Sequence, residues 1–189
     1  MSGWFYRFGR ALLNQSVSLY YRRIELAAAE RIPEKGPAII VANHPNSVAD
    51  AFLVAARLTP RRINFIAKDT ITGAPVVGWL ARQFGVVGVA RAYEYERQRD
   101  MARKRTEAAI GSCIPRLLAG ELVVIFGEGI STDVRRLHMI RKGALRFGYA
   151  AERAAGFQLG LQWIPVGINY SAKQRFRSDV VLRVGEPFG

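Results

Sequence analysis

A histidine and a carboxylate stand close together in Asn43-His44-Pro45-Asn46-Ser47-Val48-Ala49-Asp50, directly after the apolar run Ala38-Ile39-Ile40-Val41-Ala42. A neutral imidazole can take a proton near pH 7 if something fixes its tautomer and stabilises the cation it becomes. A nearby carboxylate does both, and Asp50 is the obvious partner for His44. The competing explanation is an ordinary surface histidine beside a helix start. A second stretch, Phe126-Gly127-Glu128-Gly129-Ile130-Ser131-Thr132, also follows an apolar run. Glycines at a strand end let backbone amides approach an anion closely. A simple glycine turn with a solvated Glu128 is the plainer alternative. The lysine and hydroxyl residue of a nucleotide-binding P-loop are missing here. Lys68 and Arg91 each follow a predicted strand, where they are either surface cations or phosphate ligands; arginine forks onto phosphate especially well.

Positioning these residues falls to strands that alternate with helices. Apolar runs predict strands at 38–41, 64–67, 85–89, 122–126, 162–168 and 179–184. Helical segments are predicted at 48–58, capped by Ser47, at 75–83, from 93 to 119 with a kink at Pro115, and at 141–155. This order implies an α/β domain with a mostly parallel sheet flanked by helices. In such sheets ligands collect at the carboxyl ends of strands, where His44, Arg91 and Glu128 all fall. Ahead of it, residues 1–30 read as an amphipathic helical segment, with 31–189 as the domain proper. Trp4, Phe5, Phe8, Leu12, Leu13, Val17, Tyr20 and Ile24 recur at helical steps, with arginines mostly elsewhere. Aromatics and arginines together suit a helix lying in a membrane interface; a helix packed on its own domain is the alternative.

The chain has 28 Lys and Arg against 15 Asp and Glu, a net charge of +13, which calls for a polyanionic neighbour. No nucleic-acid module is recognisable and the basic residues are spread along the chain, so an anionic membrane surface or phosphorylated substrates fit better than nucleic acid. Half the residues are apolar, which argues against disorder. Cys113 is the only cysteine, so neither an internal disulfide nor a cysteine metal site is available. It reads as a small core residue, and His138 as a solvated loop histidine. No run of about 18 apolar residues appears, so a spanning helix is not expected. The close of the sequence at Gly189, soon after a predicted strand, carries the expectation of a fragment of a longer protein.

Four ordered blocks between about Pro37 and Pro187 resemble the glycerolipid acyltransferases, which acylate glycerol-3-phosphate or lysophosphatidic acid. They are Asn43-His44 through Asp50, Gly85 through Arg91, Phe126 through Ser131, and Ile164-Pro165-Val166 with Gly167-Ile168-Asn169-Tyr170. Two departures stand out. Five residues separate His44 from Asp50 where the commonest pattern has four, and Gly127 stands where a proline is usual. The resemblance implies His44 as general base and Asp50 as its orienter. The acceptor oxygen would attack the thioester of acyl-coenzyme A or acyl carrier protein directly, without metal, cofactor or covalent intermediate. It further implies that Lys68 and Arg91 hold the acceptor phosphate, that Glu128 and Gly129 shape that site, that Lys142 adds positive charge, and that Pro165 lies on the acyl side. The location implied is the cytoplasmic face of a membrane. Two other readings remain: the same chemistry on dihydroxyacetone phosphate or a lipid A precursor, and a non-catalytic basic module for nucleic acid or anionic lipid.

Overall fold

The computed structural model describes residues 3–68, 85–89, 99–128, 137–140 and 142–189. Helix α1 (Gly3–Tyr20) is followed by strand β1 (Arg23–Ala27), a one-turn 3-10 helix at Ala29–Arg31, and β2 (Ala38–Ala42). Helix α2 (Val48–Leu53) runs on as a π-helical turn, Val54–Leu58, into β3 (Ile63–Lys68). Then come β4 (Val86–Val89), α3 (Arg99–Leu118), β5 (Leu122–Phe126), α4 (Gly143–Ala154), β6 (Gln162–Tyr170) and β7 (Asp179–Val184). The expected helix at 75–83 lies outside the described residues.

The seven described strands form one sheet in the order β1-β7-β6-β2-β5-β3-β4. Every pairing is parallel except β6 with β7. Central β2 and β5 are apolar almost throughout because both their faces are covered, as parallel sheets require. On one face Ile40, Val124, Ile164 and Leu182 pack beneath α1, α2 and the π turn. On the other, Ile39, Val123 and Ile125 meet Cys113 and Leu117 of α3 and Phe147 and Ala151 of α4. The result is three layers, with the carboxyl ends of β2, β5 and β6 along one rim. Some of the positive charge is used inside this frame. Arg61 donates to the carbonyls of Pro33 and Gly36 at 2.6 Å and of Gly120 at 2.7 Å, stapling three loops at the opposite end.

The N-terminal segment differs from expectation. Its helix ends at Tyr20, and Arg23–Ala27 is an edge strand in parallel register with Asp179–Arg183. Residue 30 is therefore no boundary, because β1 belongs to the sheet of the main domain. The apolar residues expected on one broad face of the helix also divide. Leu13 and Val17 join the core, while Trp4, Phe8 and Leu12 point away from it. Polar ties fix the inner side: Arg10 donates to the Pro60 carbonyl and Arg57 to Asn14 Oδ1, both at 2.9 Å. Helix α3 continues through Pro115 to Leu118 rather than breaking there. Pro115 lies so near the end that only the last turn depends on it.

Candidate active site

Where β2 ends, Asn43 extends its pairing with β6 through a side chain. Asn43 Nδ2 donates to the Ile168 carbonyl at 3.0 Å, and Ile168 N–H donates to Asn43 Oδ1 at 2.7 Å. This anchors the residue before His44, so the histidine leaves the sheet in a defined direction. The His44 ring lies flat on Phe126 at the end of β5, centroids 3.9 Å apart and planes at 13°. Its Nδ1 is 3.0 Å from Asp50 Oδ2, with the His44 side chain 15% exposed and Asp50 fully buried.

The extra residue between them is absorbed at Ser47, which adopts φ 50°, ψ −125°, a conformation that L-residues rarely take outside functional sites. The turn it creates is closed by Ala49 N–H to Asn46 O and Asp50 N–H to Ser47 O, both 3.1 Å. Ser47 occupies the expected cap position of α2, yet its side chain makes no capping bond. Here it serves the turn rather than the helix.

The Asp50 carboxyl meets two further donors. Asn46 N–H donates to Oδ2 at 2.7 Å and the Tyr170 hydroxyl to Oδ1 at 2.6 Å. A carboxylate only accepts, so His44 Nδ1 carries the ring hydrogen and Nε2 keeps its lone pair for another proton. Burial, followed by the charge and hydrogen bond of Asp50, pushes the Tyr170 phenol well above its ordinary range. It stays a donor across the pH range in which proteins are folded.

Glu128, 5% exposed, accepts from two backbone amides, His44 N–H at 3.2 Å and His138 N–H at 3.4 Å. Its carboxylate straps the loop after β5 to the histidine itself. Gly127 beside it is required by space: a Cβ there would lie 2.9 Å from Val41 Cγ1 and 3.2 Å from Ile140 Cγ2. Its N–H also donates to Ala42 O at 3.0 Å. From the other side, Lys173 Nζ donates to the Pro45 carbonyl and Asn46 Nδ2 to the Lys173 carbonyl, both at 2.9 Å. The motif loop is thus held by β5, β6 and the β6–β7 turn together.

A cavity of about 1200 Å³ opens beside this loop, lined among others by Asn43, Pro45, Glu128, Pro165, Tyr170 and Arg183. A smaller apolar slot of about 290 Å³ adjoins it and shares Val41, Ile140 and Pro165. Of the residues singled out in the sequence, His44, Asp50 and Glu128 meet at the rim. Pro165 is exposed between the two cavities, and Lys142 lines only the smaller. Lys68 closes β3, paired with Val89. Arg91 and Gly129 lie outside the described residues. Missed were Asn43, Asn46 and Phe126 as positioning groups and Tyr170 as a donor to Asp50. Tyr170 sits in the fourth sequence block, but nothing in its spacing points to a residue 120 positions away.

A family model described as Acyltransferase matches residues 23–169, which takes in His44, Asp50 and Glu128 and stops just short of Tyr170. A lyso-ornithine lipid O-acyltransferase of Brucella abortus is 30% identical over 142 residues, covering 75% of this chain and 48% of that protein. One of Rhodobacter capsulatus is 29% identical over 135 residues, covering 71% and 42%. The chain thus spans about half the length of the curated relatives it matches. In fold it is similar to the crystal structure of the 1-acyl-sn-glycerophosphate acyltransferase PlsC from Thermotoga maritima. The TM-score is 0.66 at 20% identity, over 97% of this chain and 70% of that one. With β1 to β5, nearly all of β6 and the rim histidine inside the matched region, the chain belongs to the acyltransferase family, the glycerolipid acyltransferases that its four blocks resemble.

Proposed function

We propose that the chain moves a fatty acyl group from acyl-coenzyme A or acyl carrier protein to a free hydroxyl of a lysolipid or glycerol phosphate. The observation that carries this reading is the His44–Asp50 contact at 3.0 Å, with Asp50 held by Tyr170 and Asn46. His44 Nε2 takes the proton of the acceptor hydroxyl as its oxygen attacks the thioester carbonyl. Asp50 stabilises the imidazolium. Collapse of the adduct breaks the C–S bond, and the leaving thiolate takes the proton back from Nε2. Acid–base assistance of this kind contributes roughly a hundred- to ten-thousand-fold in rate.

The acceptor that fits the charge of the chain is lysophosphatidic acid or glycerol-3-phosphate, with Lys68, Arg91 and Lys142 toward the phosphate. Gly129 shapes that side, and Glu128 acts there by holding the backbone of His44. Pro165, between the two cavities, sits toward the acyl chain. The curated relatives favour a second acceptor, a lyso-ornithine lipid, whose name carries an ornithine in place of a glycerophosphate. No phosphate ligand is then needed, and Lys68 and Arg91 lose that role. The experiment is thiol release from an acyl donor, dependent on each acceptor in turn, with products identified by mass spectrometry. Release with neither acceptor class would overturn the proposal and favour a non-catalytic basic module.

The place of work we propose is the surface of an anionic membrane, on its cytoplasmic side. Among the described residues no helix is long and apolar enough to cross a membrane. Trp4, Phe8 and Leu12 on the outer side of α1 remain more than half exposed, at 61%, 55% and 54%. Such a stripe suits a helix lying in the interface.

A further inference from the structure

Three elements meet beside the His44–Asp50 rim, and each leaves apolar side chains uncovered. Helix α1 ends there with Leu19 and Tyr20, α2 presents Val48 and Phe52 one turn apart, and the β6–β7 turn presents Phe176. Single exposed apolar residues are commonplace; here three elements that border the same rim each carry them. Tyr20 and Phe176 meet edge to face at 5.6 Å. The Arg177 N–H donates to the Tyr20 carbonyl at 2.8 Å, and Arg177 itself adopts φ 61°. Together with the Lys173 bonds to the motif loop, these ties hold Phe176 in one place, outside the core. On either side of it stand Arg175 and Arg177, both exposed. Among the described residues neither guanidinium pairs with a carboxylate.

An aromatic ring between two free arginines is suited to a bilayer bearing negative charge. The ring sits at the boundary of headgroups and acyl chains, and the cations sit at lipid phosphates. We infer that Val48, Phe52 and Phe176, with Arg175 and Arg177, form a second contact with an anionic lipid surface, separate from the outer stripe of α1. The stripe alone is a line about which the protein can roll. A second contact at the rim removes that freedom and holds the opening beside His44 against the headgroup layer, where the hydroxyl of a lysolipid lies. The inference rests on the reading that the acceptor is a membrane lipid.

The test is flotation of the purified chain with vesicles of phosphatidylcholine alone and of phosphatidylcholine mixed with phosphatidylglycerol. Each neutralised arginine near a charged surface weakens partition about fivefold, so Arg175→Gln with Arg177→Gln should cost about 25-fold on the mixed vesicles. On phosphatidylcholine alone the loss should be small. Phe52→Ser with Phe176→Ser should weaken binding to both. With lysolipid presented in mixed vesicles, KM should rise in Arg177→Gln alone, which lies off the cavity lining, at unchanged kcat, and its turnover of a short-chain soluble acceptor should not change. Parental binding by the double arginine variant overturns the inference. That variant alters only exposed side chains, so it keeps the test decisive should the serine variant fail to fold. Because binding is read without turnover, a chain that binds through this surface and acylates nothing would support the inference and overturn the proposed reaction.

Discussion

Replacing Tyr170 with Phe deletes one oxygen from the rim and leaves the ring packed beside Tyr21, 5.8 Å away. The lost bond, 2.6 Å from hydroxyl to Asp50 Oδ1, is one of three that hold a fully buried carboxyl. Hydrogen bonds to charged groups are worth about 1.5–3 kcal/mol, more when the partner stays buried. If Asp50 acts by stabilising the His44 imidazolium, most of that loss appears when the cation forms, so kcat should fall roughly 10- to 100-fold. KM should hardly move, because the hydroxyl donates its hydrogen to Asp50 Oδ1. A double-mutant cycle sharpens the test. In an Asp50→Asn background the same change should cost much less, since residues acting as a unit are not additive. Thiol release under saturating acceptor measures all four proteins. A Tyr170→Phe variant within twofold of the parent, or one whose loss simply multiplies that of Asp50→Asn, would refute the reasoning.

Other consequences follow from the same contacts. Gly127→Pro, which restores the residue usual in the family, should destabilise this chain by about 2–4 kcal/mol through overpacking against Val41 and the lost bond to Ala42. Thermal melting reads it, and Val41→Ala should recover part of the loss. Glu128→Gln puts a donor NH2 where one of two backbone amides needs an acceptor; melting should register a loss of about 1–3 kcal/mol and thiol release a drop in kcat. Burial raises the Cys113 thiol from its ordinary 9.0 to about 11. The folded chain therefore holds its proton where the unfolded chain gives it up. This stability is fully present below pH 9 and lost as pH rises toward 11, by about 2–3 kcal/mol. Denaturant curves of Cys113→Ala should lack that decline relative to the parent and leave turnover at neutral pH unchanged.

Much of the frame was legible because β2 and β5 are buried on both faces and so read as unbroken apolar runs. The α/β order and the rim position of His44, Asp50 and Glu128 followed from that. The first misreading was at Arg23–Ala27, where alanine and glutamate suit a helix. Pairing with β7, more than 150 residues on in register with Asp179–Arg183, overrides that local preference. At 3.6 residues per turn Trp4, Phe8 and Leu12 fall on a different side of the helix from Leu13 and Val17, a division that a list of three- and four-residue steps passes over. Only the packing shows that Leu13 and Val17 go inward and Trp4, Phe8 and Leu12 outward. At the site, five residues stand between His44 and Asp50 where the commonest pattern has four, and spacing alone leaves the geometry of their contact open. The backbone twist at Ser47 makes it a good one, and no spacing rule reports φ.

The central claim is that His44 is the base. The measurement that addresses it most directly is acceptor-dependent thiol release by His44→Ala, alongside a melting curve showing the fold retained. A fall of roughly a hundred- to ten-thousand-fold is expected at an unchanged fold. Near-parental turnover by a folded His44→Ala protein would contradict it.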